Sequence, residues 1–118
     1  MTSLNFDAAR QTMIQSQLRT WYVHDERVID LIARMPRQDY VPAASRNLAY
    51  VDMNIALGHG EVMMTPKMEA RLVQELEIDH QDKILEIGTG SGYVTALLAN
   101  LGRHVVSVEI HPEFTAEA

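Results

Sequence analysis

The chain has 118 residues, 47% of them hydrophobic and 22% charged, with a formal net charge of −6 and no cysteine. This composition fits one small globular domain with a modest core and excludes a disordered chain, a disulfide framework and a thiolate metal site. The acidic balance argues against a nucleic-acid partner. With no apolar run near the roughly 20 residues of a membrane helix, and no signal-peptide plan in Met1–Asp7, a cytoplasmic protein without a membrane partner is expected.

The first predicted helix runs from Phe6 to Trp21, with Asn5 or Asp7 placed to cap it and Met13, Ile14 and Leu18 along a narrow apolar stripe. Trp21 and Tyr22 are expected to pack this helix onto the body. A second helix is predicted from near Asp25 to Met35, because Val28, Leu31, Ile32 and Met35 recur at helical intervals and Pro36 stops the run. From Pro36 to Gly60 the pattern is irregular: a short helical turn over Ala43–Leu48, then apolar Ile55–Leu57, then Gly58-His59-Gly60, which breaks any regular element. Thr65-Pro66 starts a third helix reaching about Glu77, since the Thr oxygen can cap and Pro suits the first helical position. Its apolar face is expected to be Met68, Leu72, Val73 and Leu76.

The period then changes. Lys83–Ile87 reads as a buried strand, Gly88–Gly92 as a tight turn, Gly92–Leu101 as a helix and His104–Glu109 as a second strand. Strand, glycine turn, helix, strand is a βαβ unit with parallel strands and a right-handed crossover. After Glu109 there is room for the first turn of a further helix over His111–Ala118. Residues 1–60 are expected to form a helical and loop region, and 61–118 the first part of an incomplete cofactor-binding domain. Parallel strands are normally buried on both faces, which two strands cannot achieve. A fragment of a longer chain is therefore expected, inactive by itself and self-associating through strands that expose Ile84, Val105 and Val106.

Gly88-Thr89-Gly90-Ser91-Gly92 lies where a strand hands over to a helix. Glycines there permit a sharp turn and a close backbone approach to a ligand, and the amides at the helix start suit an anionic group such as an amino-acid carboxylate. Glu109 ends the next strand 21 positions after Gly88, where an acidic side chain can accept from both hydroxyls of a ribose. These features together match an S-adenosylmethionine site. The competing dinucleotide fingerprint is GxGxxG, whose third glycine permits close helix–strand packing. Here Tyr93 stands at that place, and its bulk is expected to obstruct a pyrophosphate, so methyl transfer is favoured over hydride transfer. The five histidines share no helical or strand spacing, and no metal site is expected.

Met35-Pro36-Arg37-Gln38-Asp39-Tyr40-Val41-Pro42 and Gly58-His59-Gly60-Glu61-Val62-Met63-Met64-Thr65-Pro66-Lys67-Met68, set beside Leu85–Tyr93, resemble the protein-L-isoaspartate O-methyltransferase family. The resemblance runs from about Met13 to Glu113. Its glycine motif is shared by many methyltransferases, whereas the PR-x-x-[FY]-VP and Gly-x-Gly…Pro-x-Met segments are more specific. It implies an α/β fold: N-terminal helices plus the first βαβ unit of a Rossmann-like S-adenosylmethionine-dependent methyltransferase, truncated relative to considerably longer family members. It also implies S-adenosyl-L-methionine as cofactor, a protein or peptide substrate methylated on a carboxylate such as L-isoaspartate, and protein repair as the role. The cofactor residues it implies, together with the glycine turn, are Val62, Met63, Met64, Glu69, Glu86, Gly88, Thr89, Gly90, Ser91, Gly92, Glu109 and Ile110. One departure matters. The family pattern carries Thr-Ile-Ser where this chain has Val62, Met63 and Met64, and the serine is the residue implicated in catalysis. A thioether donates no hydrogen bond and accepts only weakly, and the hydroxyl of adjacent Thr65 is expected to cap a helix. The catalytic residue therefore stays unassigned. A homologue that binds the cofactor but has another substrate, or no activity, remains the alternative. Asp52 is read as a solvated loop charge.

Overall fold

The computed structural model describes residues 5–117; Met1–Leu4 and Ala118, the expected end of the last helix, lie outside the described residues. Helix α1 (Phe6–Met13) begins where the Asn5 side chain accepts from the Ala8 amide at 3.1 Å. It continues as a π-helical turn over Ile14–Leu18 and a 3₁₀ turn over Arg19–Trp21. The expected Phe6–Trp21 helix is thus one helical run of changing pitch. It ends at Tyr22, whose left-handed φ of 64° stops helix propagation and leaves the ring 72% exposed rather than packed on the body. Helix α2 (Glu26–Arg34) is capped by Asp25 and buries Val28, Ile29, Leu31 and Ile32.

The segment read as irregular holds a short antiparallel hairpin. Strands β1 (Ile55–Gly58) and β2 (Glu61–Met63) pair Ile55 with Met63 and Ala56 with Val62. Gly58, His59 and Gly60 all take positive φ, so the residues expected to break structure make the hairpin turn. Helix α3 (Pro66–Glu75) starts as expected, with the Thr65 hydroxyl accepting from the Met68 amide at 3.3 Å. Its buried face is different from the expected one: Pro66, Glu69, Ala70, Val73 and Gln74 point inward, while Met68, Leu72 and Leu76 are exposed. Two polar residues take inward places because they have fixed partners. Gln74 accepts from the amides of His24 and Asp25 and donates to the Tyr22 carbonyl, which ties the end of the first helical run to α3.

Strand β3 (Lys83–Ile87), helix α4 (Tyr93–Leu101) and strand β4 (His104–Val108) form the βαβ unit, with β3 and β4 parallel and Ile84 paired with Val105. Helix α5 (Pro112–Glu117) follows. Alternation sorts the strand residues. Ile84 and Val105 pack against the core and are not its exposed patch; Leu85, Ile87, Val106 and Val108 face outward, Ile87 at 76% exposure. One core joins both ends of the chain, running from Met13, Leu18 and Ile32 through Ile55 and Val73 to Leu97 and Leu101. No described helix is long and apolar enough to cross a membrane.

Gly102 is where α4 turns back toward β4. A Cβ there would lie 3.1 Å from the Asp82 carbonyl oxygen and 2.7 Å from the tip of Ile84. That carbonyl is itself fixed by the Arg103 amide at 2.7 Å. Gly102→Ala is expected to destabilise the chain by about 1–3 kcal/mol, the usual range for overpacking. Thermal unfolding followed by circular dichroism checks this, and an unchanged or raised midpoint would show that the turn has room to give.

Candidate functional site

The glycine turn sits at the carboxyl end of β3. Gly88, Gly90 and Gly92 take φ of 93°, 54° and 87°, a run that side-chain-bearing residues rarely adopt. The Gly88 amide continues the sheet by donating to the Val108 carbonyl at 2.7 Å, which brings the turn alongside the end of β4. There the Glu109 carboxylate accepts from the Gly90 amide at 2.8 Å and from the His111 amide at 3.1 Å. Those two amides hold the Glu109 carboxyl below the usual carboxylate range. It is a fixed anion with lone pairs left for a ligand.

Of the cavities that open on this turn, two adjoin at Leu57, Val62, Gly88 and Gly90. The larger, about 480 Å³, is lined by Gly88, Gly90, Glu109 and Ile110, with Leu57, Glu61 and Val62 from the hairpin and Phe114 from α5. The smaller, about 190 Å³, is lined by Val62, Met63, Met64, Glu69, Glu86, Gly88, Thr89, Gly90 and Ser91, with Leu57 and Val94. Of the residues expected at the site, only Gly92 lines neither; it is buried, at the start of α4 with left-handed geometry, and shapes the turn from behind. Leu57, Glu61, Ile87, Val94, Val108 and Phe114 were not expected. The first two come with the unrecognised hairpin, and its only signal was a glycine pair flanked by apolar Ile55–Leu57 and Val62–Met63.

The Glu86 carboxylate accepts from the hydroxyls of Thr95 and Ser107, and the Thr89 and Ser107 hydroxyls are hydrogen-bonded to each other. This chain of short polar side chains fixes the floor of the smaller cavity. Tyr93, whose bulk was expected to obstruct a pyrophosphate, lines neither cavity. It is fully buried, edge-on to Tyr40 with centroids 5.6 Å apart and beneath the Arg37 guanidinium at 5.3 Å. Asp52 is exposed and paired with Lys67 at 3.1 Å, and that ammonium lies 5.3 Å from the centre of the Trp21 ring. No group of three or more metal-binding side chains converges among the described residues.

Glu69 is the unusual member of the wall. It is buried on α3 with one oxygen, Oε1, accepting from Nε and Nη2 of Arg37 at 3.1 and 2.9 Å. Burial pushes its carboxyl up to about 7, against the downward pull of Arg37.

A parallel βαβ unit, a glycine turn at the end of its first strand and a fixed carboxylate at the end of its second define a Rossmann-like α/β cofactor-binding protein. The family model described as protein-L-isoaspartate (D-aspartate) O-methyltransferase matches residues 8–118, and the chain belongs to that family. It is 37% identical over 115 residues to protein-L-isoaspartate O-methyltransferase 1 of Syntrophobacter fumaroxidans, covering 98% of this chain and 54% of that protein. With protein-L-isoaspartate O-methyltransferase of Methanoculleus marisnigri it shares 40% identity over 109 residues, covering 92% of this chain and 50% of the relative. The chain thus spans about half the length of the curated relatives it matches. A Plasmodium falciparum protein described as a protein-L-isoaspartate O-methyltransferase, solved in complex with S-adenosyl-L-homocysteine, superposes with a TM-score of 0.77 at 18% identity, covering 98% of this chain and 53% of that one. At that identity the superposition establishes the fold.

The Glu69 environment gives a pH signature. Its folded value of about 7 stands above the ordinary 4.5, so between these values the folded state binds more protons than the unfolded one. Its stabilising contribution is full below about 4.5 and is lost as pH rises through about 7. Glu109, shifted the other way, adds stability above its ordinary value and loses it only in acid. Thermal midpoints measured from pH 4.5 to 8 are expected to fall less steeply in Glu69→Gln than in the unaltered chain. Identical slopes would mean that Glu69 is ionised throughout.

Proposed function

We propose that the chain is the S-adenosylmethionine-binding part of a methyltransferase that esterifies a carboxylate, such as that of a protein L-isoaspartyl residue. The observation that carries this reading is the meeting of the Gly90 amide and Glu109 at 2.8 Å, on the wall of a cavity that also holds Ile110. The residues fit such a cofactor. Beyond Gly88 nothing lies within 4 Å of where a Cβ would stand, so ligand can approach the backbone directly. The two cavities are lined by Glu61, Glu69, Glu86 and Glu109 with no lysine or arginine. A carboxylate-rich wall suits a cation with a ribose better than a pyrophosphate, which disfavours a dinucleotide.

When bound, the cofactor supplies an electrophilic methyl group on a sulfonium. Glu109 would hold the ribose hydroxyls, and the glycine turn and Glu86 would hold the amino-acid end. The acceptor carboxylate is already ionised at neutral pH and needs no general base. What remains for the protein is to align an oxygen with the methyl–sulfur bond and exclude water. Protein repair and a cytoplasmic setting belong to the same reading, supported by the kind of substrate and by a cysteine-free chain.

A second reading has its own observation. Met64 puts a thioether on the wall at the family's serine position, and the neighbouring Thr65 hydroxyl is engaged by the Met68 amide. A homologue that binds the cofactor but methylates another substrate, or none, accommodates this. Methyl release with an isoaspartyl peptide, assayed on the full-length protein, separates the two.

Titration with S-adenosyl-homocysteine tests the cofactor assignment. Glu109→Ala is expected to weaken binding roughly 10- to 150-fold, corresponding to about 1.5–3 kcal/mol for a lost charge-assisted hydrogen bond. Unchanged affinity would remove Glu109 from the site. Gly90→Val should abolish binding while leaving a folded chain, because its φ of 54° resists a branched side chain; the Leu57 tip at 3.6 Å is ordinary contact and no obstacle.

The outward face of β3 and β4 carries a further expectation. Leu85, Ile87, Val106 and Val108 form an exposed apolar face on a two-stranded sheet with free edges. We propose that the 118-residue chain pairs with a second copy of itself across this face. Light scattering at micromolar concentration should report a dimer or larger species, and a monodisperse monomer would refute it.

A further inference from the structure

Arg37 lines neither cavity, yet it holds two residues that do. It sits in the 3₁₀ turn Arg37–Asp39 with 0% exposure. Nη2 donates to the Met64 carbonyl at 2.9 Å and to Glu69 Oε1 at 2.9 Å; Nε donates to the same carboxylate oxygen, and Nη1 to the Ala49 carbonyl. Its own amide donates to the Tyr50 hydroxyl at 3.0 Å, and its Cζ lies 5.3 Å from the ring centre of Tyr93, the first residue of α4. Met64 and Glu69 belong to the wall that faces the glycine turn from the hairpin side. Met64 lies one residue beyond β2 and two before α3, outside both regular elements.

We propose that Arg37 is the positioning residue of the site, fixing the Met64 backbone and the Glu69 carboxyl so that the hairpin wall stands at the right distance from the glycine turn. The proposal rests on the cofactor reading above. A guanidinium suits this task because its rigid fork reaches three acceptors in different directions, whereas an ammonium on a flexible stem reaches one centre. The geometry also separates positioning from plain core packing. A buried ion pair contributes little net stability and is replaceable by apolar residues of similar volume, but no apolar side chain can hold the Met64 carbonyl.

The test uses the 118-residue chain and nuclear magnetic resonance titration with S-adenosyl-homocysteine, which detects weak binding, together with amide exchange at residues 61–65. The double variant Arg37→Met/Glu69→Met should keep a cooperative melt, weaken the ligand at least 10-fold and speed exchange at 61–65. Glu69→Gln keeps the Arg37 fork and should leave that exchange unchanged. If the double variant does not fold, Arg37→Lys gives the same comparison, with faster exchange at 61–65 expected. Unaltered affinity and exchange in the folded Arg37 variant overturns the proposal, as does a Glu69→Gln chain that alone reproduces the whole affinity loss. Absence of binding to the unaltered chain would instead overturn the cofactor reading, and exchange at 61–65 would still decide the role of Arg37.

Discussion

A guanidinium with no access to solvent constrains everything around it. Its donors must find acceptors inside the protein, because leaving one unmet costs about as much as a core methylene or more. Arg37 meets that demand with the Glu69 carboxylate and the carbonyls of Ala49 and Met64. The acceptors come from the end of the 3₁₀ turn Ala43–Leu48, from the segment after the hairpin and from α3, so the pair ties two irregular stretches to a regular helix. A second arginine repeats the device nearby. Arg10 donates to the carbonyls of Ala33 and Met35 and to the Tyr50 hydroxyl, and Tyr50 also accepts from the Arg37 amide and donates to Gln38. The N-terminal helices are thereby joined to the loop region by directional bonds as well as by apolar contact.

The consequence reaches the site because its two walls have different origins. The glycine turn, Glu86 and Glu109 belong to the βαβ unit, whose geometry follows from strand pairing and helix packing. The opposing wall, Leu57, Val62 and Met64, rides on a hairpin with three-residue pairing and one register shift. So short a hairpin is marginal alone, and its position depends on what it is tied to. Ile55 and Met63 anchor it in the core, and Arg37 anchors the chain just after it. The gap between the walls is where the carboxylates collect, and a gap lined by one sign of charge attracts the opposite sign.

How legible this was in the sequence follows the range of the forces involved. The bounds of the βαβ unit could be read nearly to the residue, because short apolar strand runs, the glycine run and the apolar repeat of α4 are local signals; the alternation that leaves Leu85 and Ile87 exposed on a strand read as buried was not. The start of α3 was equally plain from Thr65-Pro66. Its inward face was not. Counting apolar residues selects Met68, Leu72 and Leu76, but Glu69 and Gln74 take the inward places because their partners lie 32 and about 50 residues earlier in the chain. Periodicity carries no information about such partners. The hairpin was missed for a different reason: with strands of four and three residues, the glycines of its turn outweigh its pairing signal. Most of the residues expected at the site do line the two cavities, since they sit in motifs that a family resemblance transfers position by position, while Leu57, Glu61, Ile87, Val94, Val108 and Phe114 were not among them.

Met64 shows where that transfer stops. A resemblance carries a position across, while the chemistry at that position belongs to the residue actually present. Here the position is on the cavity wall as the family pattern implies, its carbonyl is bound by Arg37, and its side chain is a partly exposed thioether. The Thr65 hydroxyl cannot substitute without giving up the cap of α3. Under the methyl transfer proposed above, a carboxylate acceptor would ask for no proton removal, so a missing hydroxyl would take away an orienting contact and leave the bond-making step intact. Its loss would therefore fall on which acceptor is held, more than on whether a methyl group can move. A soft, unbranched side chain in that place adapts to varied apolar surfaces, so the hairpin wall presents Val62 and Met64 to the glycine turn as an adaptable apolar surface.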